Sequence, residues 1–183
     1  MAMVKPFILQ VVGFQNSGKT TMILKLIETF TNMGLKTATI KHHGHGGKPL
    51  APEHKDSTKH LSAGAAASIV EGDGALILQA ERSSFSLEDQ IKLLEFINPD
   101  VILIEGHKQA KYPKLVIVRD QNDLSMLDQV SNCLAVVFWH NKLKNALLDV
   151  PCYSIHDETL IKKCTEWLRD WQNFLGNNVE ENC

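Results

Sequence analysis

Apolar residues are spaced at two alternating periods along this chain. Phe7 to Val12 is a short, nearly continuous apolar run and predicts a buried strand; from Thr20 to Asn32, apolar Met22, Ile23, Leu26, Ile27 and Phe30 recur at helical spacing. Lys36 to Lys41 is rich in β-branched residues and reads as a second strand, with Gly34 as the helix-ending residue before it. Strand, helix and strand make a βαβ unit, whose crossover is almost always right-handed and sets the two strands parallel. The segment Ala65 to Val70 and the run Ala75 to Ala80 flank Glu71-Gly72-Asp73-Gly74, a hairpin signal that predicts an antiparallel piece attached to the parallel core, and so a mixed sheet. Ser86 and Asp89 have the spacing of a capping box, and Leu87, Ile91, Leu94 and Phe96-Ile97 carry a helix to Asn98-Pro99. Buried strands follow at Val101–Ile104, Leu115–Val118 and Cys133–Trp139. Asp157 then caps a packing helix bearing Leu160, Ile161, Cys164, Trp167, Leu168, Trp171, Phe174 and Leu175, and 177–183 reads as a polar tail.

Composition narrows the class without naming it. At 183 residues the chain suits one sizeable core, read here as a single domain over 1–176. Apolar content of 44%, charged content of 22% and a formal charge of −2 argue against disorder and against a polyanion-binding surface, so no nucleic-acid partner is expected. Cys133, Cys152, Cys164 and Cys183 form no C-x-x-C pair and no disulfide framework, which fits a reducing cytoplasm. The first residues lack the apolar stretch of a leader and no run of 18 apolar residues occurs, so neither export nor membrane insertion is expected.

Between the first strand and first helix lies Gly13-Phe14-Gln15-Asn16-Ser17-Gly18-Lys19-Thr20, which fits G-x-x-x-x-G-K-[ST] at every fixed position. Glycine at 13 and 18 lets the backbone curl and aim N–H groups at one point, which the positive end of the new helix also faces. That point attracts phosphate. Lys19 is placed to reach the β- and γ-phosphates, and the Thr20 hydroxyl to hold a bridging Mg²⁺. Asp100 to Glu105 gives an apolar strand ending in a carboxylate; parallel to the first strand, it brings Glu105 into the crevice with Lys19 and Thr20, to hold metal-bound water or orient an attacking one. Asp56 follows a Gly/Pro/His loop at the end of the second strand, where it either helps hold Mg²⁺ or caps the helix beginning at Ser57. His42, His43, His45 and His54 in and beside that loop raise a metal reading, although their spacing is poor and no cysteine is near. Gly106 to Lys114 reads as a basic surface loop. Asn141 occupies the place where guanine readers carry Asn-Lys-x-Asp, but Lys144 stands where the decisive Asp belongs.

Three stretches carry a family resemblance: Gly13 to Thr21, Lys55-Asp56-Ser57 through Ala63-Gly64-Ala65-Ala66, and Ile104-Glu105-Gly106-His107-Lys108 leading to Pro113-Lys114-Leu115. In order and spacing, over nearly the whole chain, the sequence resembles the molybdopterin-guanine dinucleotide biosynthesis protein B family, MobB. The resemblance implies an α/β P-loop NTPase fold with a mostly parallel (mixed) central sheet, flanking helices and an antiparallel hairpin extension. It implies GTP and Mg²⁺ as ligands. Gly13, Asn16, Ser17, Gly18, Lys19, Thr20, Thr21 and Asn141 would bind nucleotide, Thr20, Asp56 and Glu105 would hold metal, and Glu105 and Lys19 would carry slow hydrolysis. It further implies a cytoplasmic homodimer that assists the molybdopterin nucleotidyltransferase and other molybdenum cofactor assembly proteins. His107 departs from the aromatic often found there in the family. Two other functions compatible with the loop are a small-molecule kinase and a metal-delivery GTPase; the kinase lacks clustered arginines, since Arg82, Arg119 and Arg169 are dispersed.

Overall fold

The computed structural model describes residues 5–44, 56–140 and 150–180, with the backbone alone for Asp56 and 176–180. In chain order the elements are β1 (Phe7–Val12), α1 (Lys19–Asn32), β2 (Thr37–Lys41), α2 (Asp56–Ser62), β3 (Ala67–Gly72), β4 (Ala75–Ala80), α3 (Leu87–Glu95), β5 (Val101–Glu105), β6 (Lys114–Val118), a 3₁₀ helix (Gln121–Gln129), β7 (Cys133–Phe138), β8 (Cys152–Ser154) and α4 (Glu158–Glu180). They group into two compact units, one made of Met1–His42 with Gln90–Cys183 and the other of His43–Asp89.

The larger unit is built on a six-stranded sheet in the order β2-β5-β1-β6-β7-β8, with each adjacent pair parallel. Its central strands are apolar along their length because both faces are covered. Residues of one parity, among them Leu9, Val11, Leu103, Leu115 and Val137, pack with Met22, Leu26 and Phe30 of α1 and with Leu160, Cys164 and Leu168 of α4. Residues of the other parity, Val12, Val116, Val118, Val136 and Phe138, pack with Met126 of the 3₁₀ helix. The period-two alternation of a strand therefore feeds two cores, one on each face. No described helix is long and apolar enough to cross a membrane.

In the smaller unit α2 precedes the hairpin of β3 and β4, paired from Ala67↔Ala80 to Gly72↔Ala75. Asp73 and Gly74, at φ 52° and 77°, make the two-residue turn whose left-handed backbone matches strand twist. The Ser86 and Asp89 box forms as expected: each backbone N–H donates to the other's side chain, at 3.0 and 3.1 Å. Hydrogen bonding to its carboxylate from the Ser86 side chain and backbone, with the Arg82 guanidinium beside it, lowers the Asp89 pKa.

Several sequence expectations need amendment. The hairpin is a two-stranded sheet of its own, so the central sheet is parallel throughout its described strands rather than mixed. Strand β8 is only three half-buried residues, too short to show a period. The 3₁₀ helix arises from local chemistry: the Asp120 side chain accepts from Asn122 N–H at 2.9 Å at its start. Helix α4 continues through 177–180, where a polar tail was expected, and α2 begins at Asp56 itself rather than after it.

Candidate functional site

Parallel strands present their C-terminal ends on one edge, where α/β folds bind ligands. The register brings Val11, Lys41 and Glu105 level with one another, and Gly13 opens the glycine loop just beyond β1. The loop is tightly folded. A Cβ on Gly13 would lie 2.5 Å from Ser17 Oγ and 2.8 Å from the Ile117 carbonyl. Gly18, at φ +98°, leads into α1; a Cβ there would stand 2.9 Å from the Trp139 ring and 3.0 Å from Ile155. Helix α1 has no side-chain cap and no acidic residue in its first turn, so its N–H groups face the loop uncompensated. Ser17 Oγ is buried there without a hydrogen-bond partner.

Charged groups converge on this loop. Lys19 folds across it and donates to the Phe14 carbonyl at 2.6 Å. Burial lowers the Lys19 pKa, while the nearby Glu105 carboxylate works in the opposite direction. Glu105 is 8% exposed and accepts from the Thr20 hydroxyl, with both carboxylate oxygens at 3.0 Å. Lys41 reaches back from β2 to the same pair, 3.2 Å from Glu105 Oε1 and 3.3 Å from Thr20 Oγ1. Chemically, this is a pocket of N–H donors and ammonium groups beside a hydroxyl and carboxylate already sharing a cation, a donor set suited to phosphate on one side and a hard metal ion on the other.

Further residues fix the loop in place. Trp139, just past β7, donates its indole N–H to the Ser17 carbonyl at 2.7 Å and meets His156 edge-on. Arg119, just past β6, donates to the Asn16 carbonyl at 3.2 Å. The connection from β5 to β6 must cross β1, which lies between them, and buried Gln10 holds it there through Nε2 bonds of 3.0 Å to the Gly106 and His107 carbonyls. The His107 ring lies against that of His42, with centroids 4.7 Å apart. At the end of this connection the reading of a basic surface loop fails for Lys114. It is fully buried, opens β6 and donates to the carbonyls of Ala110, Tyr112 and Ser131 at 2.8, 2.9 and 2.5 Å.

Of the residues expected in the site, the structure brings together Gly13, Asn16, Ser17, Gly18, Lys19, Thr20 and Glu105, with Thr21 exposed beside Thr20 in the first turn of α1. Asn141, Lys144, His45 and His54 lie outside the described residues, as does the Asp56 side chain. Among described residues no group of three or more potential ligands could hold a metal ion by itself. Lys41, Trp139 and Arg119 were not assigned to the site from sequence. Their signal is topological: each follows or ends a strand of the parallel sheet, so all three fall on the edge that carries the loop.

A parallel sheet whose central strand feeds a G-x-x-x-x-G-K-T loop and a helix, with a carboxylate on the adjoining strand, defines a P-loop nucleotide-binding protein. Within that class, the chain belongs to the MobB family: the model of molybdopterin guanine dinucleotide synthesis protein B matches residues 8–139. It is 46% identical over 163 residues to the probable molybdopterin-guanine dinucleotide biosynthesis adapter protein of Bacillus subtilis, covering 88% of this chain and 93% of that protein. The fold matches the crystal structure of Bacillus subtilis MobB with a TM-score of 0.78 at 39% identity, covering 87% of this chain and 96% of the other. It also matches a MobB homologue from Bacillus stearothermophilus, with a TM-score of 0.70 at 31% identity over 89% and 98%. The expected family and the mostly parallel P-loop architecture with its hairpin are thereby met.

Proposed function

We propose that this MobB-family chain binds GTP with Mg²⁺ and acts as an accessory protein in molybdenum cofactor biosynthesis, assisting the nucleotidyltransferase that converts molybdopterin to molybdopterin guanine dinucleotide. The observation that carries the nucleotide reading is the convergence of Lys19, Thr20 and Glu105 on the glycine loop. The accessory role rests on family membership and on the adapter named in the Bacillus subtilis relative.

The residues fit the ligands. The start of α1 has no side-chain cap and no acidic residue of its own in the first turn, which favours phosphate. The Thr20 hydroxyl and Glu105 carboxylate offer hard oxygens for Mg²⁺. Bound there, Mg²⁺ would supply neutralisation of the phosphate charge. With nucleotide bound, Lys19 would exchange its bond to the Phe14 carbonyl for bonds to phosphate oxygens. Asn16, Ser17 and Thr21 present backbone or hydroxyl groups to the same phosphates, and Asn141 is assigned to the base from its place in the sequence alone. Glu105 orients an attacking water, and slow hydrolysis follows as a secondary activity. Because Lys144 replaces the guanine-reading carboxylate, the preference for GTP over ATP is modest, below about a thousandfold.

A cytoplasmic homodimer completes the reading. On the hairpin, the cross-strand pairs Ile69–Leu78 and Val70–Ile77 lie on opposite faces, and all four residues are exposed, as is Leu76. A two-stranded ribbon cannot bury apolar residues on both faces by itself, and a second copy offers a matching surface.

Calorimetry with Mg·GTP and Mg·ATP, and capture of the purified nucleotidyltransferase with and without GTP, test the proposal. Binding of GTP with retention of the transferase is the expected result. Equal or tighter ATP binding would remove the guanine reading, and absence of any nucleotide binding would remove the site. Within the site, Glu105→Gln should slow hydrolysis more than it weakens binding, since the carboxylate acts chiefly as charge develops; turnover at the wild-type rate would reduce Glu105 to a strand end.

A further inference from the structure

Lys41 lies outside the glycine-loop motif, yet its ammonium sits on the two oxygens that make the crevice a cation site. The Thr20 hydroxyl hydrogen is directed to Glu105, at 3.0 Å, so the lone pair of Thr20 Oγ1 receives the Lys41 N–H at 3.3 Å. The same ammonium lies 3.2 Å from Glu105 Oε1. A hard metal ion, if held by Thr20 and Glu105, would draw on the same hydroxyl and carboxylate oxygens. Ammonium and metal therefore compete for the same atoms.

Exposure tells which partner can leave. The Lys41 side chain is 63% exposed and that of Glu105 only 11%. A lysine so open to water gains little stability from an ion pair, whereas a nearly buried carboxylate beside an anion-binding loop needs a counter-charge. Lys19 acts on that carboxylate through space, while its own described hydrogen bond goes to the Phe14 carbonyl.

We propose that Lys41 is a positioning residue that holds the cation place between Thr20 and Glu105 until a divalent metal arrives with the triphosphate, shielding the incoming phosphates from Glu105, and that the metal displaces it. This rests on the phosphate-loop reading above and adds a competitor for the metal to it. Without metal, Lys41 remains on Glu105 and favours nucleotide binding. With metal, the ammonium swings out toward solvent or phosphate and is no longer needed for shielding.

The experiment measures the dissociation constant of the β,γ-imido analogue of GTP by calorimetry, in EDTA and in saturating Mg²⁺, for wild type, Lys41→Met and Lys41→Arg. Circular-dichroism melts establish folding, with Lys41→Gln in reserve should the methionine variant not fold. In Lys41→Met the ratio of the two constants should rise about tenfold, because metal-free binding weakens while Mg²⁺-loaded binding is held or tightens. Mn²⁺ titrated into the nucleotide complex and followed by electron paramagnetic resonance should bind more tightly in the same variant. Lys41→Arg, which keeps a cation, should restore most of the wild-type ratio. Equal weakening in both conditions would overturn the proposal and make Lys41 an ordinary phosphate ligand; no change in either would make it a surface ion pair. A wild type that binds the analogue in neither condition would overturn the phosphate-loop reading and this proposal together, whereas normal wild-type binding with an unchanged methionine variant overturns this proposal alone.

Discussion

Lys19, which opens α1, and Lys114, which opens β6, are the same side chain in two settings, and burial lowers the pKa of both. Around Lys114 the protein closes: three backbone carbonyls take the three ammonium hydrogens, one of them from beyond the 3₁₀ helix, and no exposure remains. Around Lys19 it stays open, with one carbonyl bond and a carboxylate nearby. A saturated buried ammonium holds chain segments together, while an unsaturated one retains donors for an incoming anion. Hydrogen-bond saturation and complete burial, rather than the direction of the pKa shift, separate the structural lysine from the functional one.

That contrast can be broken first at Lys114. Lys114→Met keeps the aliphatic stem and strands the three carbonyls that its ammonium satisfies, so unfolding free energy should fall by about 3 kcal/mol, read from urea midpoints. Nucleotide affinity of the folded fraction should be preserved, and an affinity loss without a stability loss would reverse the roles of the two lysines. Lys19→Ala should do the opposite, weakening Mg·GTP binding about a hundredfold through loss of charge-assisted bonds worth roughly 1.5–3 kcal/mol each. Its unfolding midpoint should stay near that of wild type; calorimetry showing wild-type affinity would sink the loop assignment.

Trp139→Phe sharpens the open side, since it removes the indole bond to the Ser17 carbonyl and part of the ring packed beside Gly18. A loss of about 1 kcal/mol, or roughly fivefold in nucleotide affinity, is expected by calorimetry. The smallest effect calibrates burial without charge-pair complications. Burial alone pushes the Cys164 thiol up to about 12 from an ordinary 9.0. The folded chain thus keeps a proton that the unfolded chain releases above pH 9, so this stabilisation is present below pH 9 and lost as pH rises. Between pH 8 and 9.5 the stability advantage of wild type over Cys164→Ala should shrink by about 0.8 kcal/mol. Taking the difference cancels the opposite trend from Lys19 and Lys114, whose lowered pKa values make stability rise with pH.

The open region was legible in sequence because its information is local. Gly13 to Thr20 encodes a loop in consecutive residues, and the strand-helix-strand order forces the parallel edge on which Glu105 then falls. The closed region was not legible. Lys114 reads as one more cation in a basic stretch, since the Ala110, Tyr112 and Ser131 carbonyls that bury it carry no side-chain signature. Trp139 was legible as the end of a strand but not as a brace, because its partner Ser17 lies far away in sequence. The hairpin was legible from the Glu71-Gly72-Asp73-Gly74 stretch, of which Glu71 and Gly72 in fact extend the strand, yet whether it joins the central sheet depends on pairings that no local pattern specifies.

Strand β5 lies between β1 and β2, with Phe7 and Thr37 both paired to Val101. During synthesis, β1, α1 and β2 leave the ribosome long before the strand that must slot between them. For that interval, at translation speeds of roughly 5–20 residues per second, both strands have open edges facing an empty lane. The nascent chain is then most prone to pair with the wrong strand, and a chaperone that guards strand edges would matter more to its yield than one that shields the finished surface.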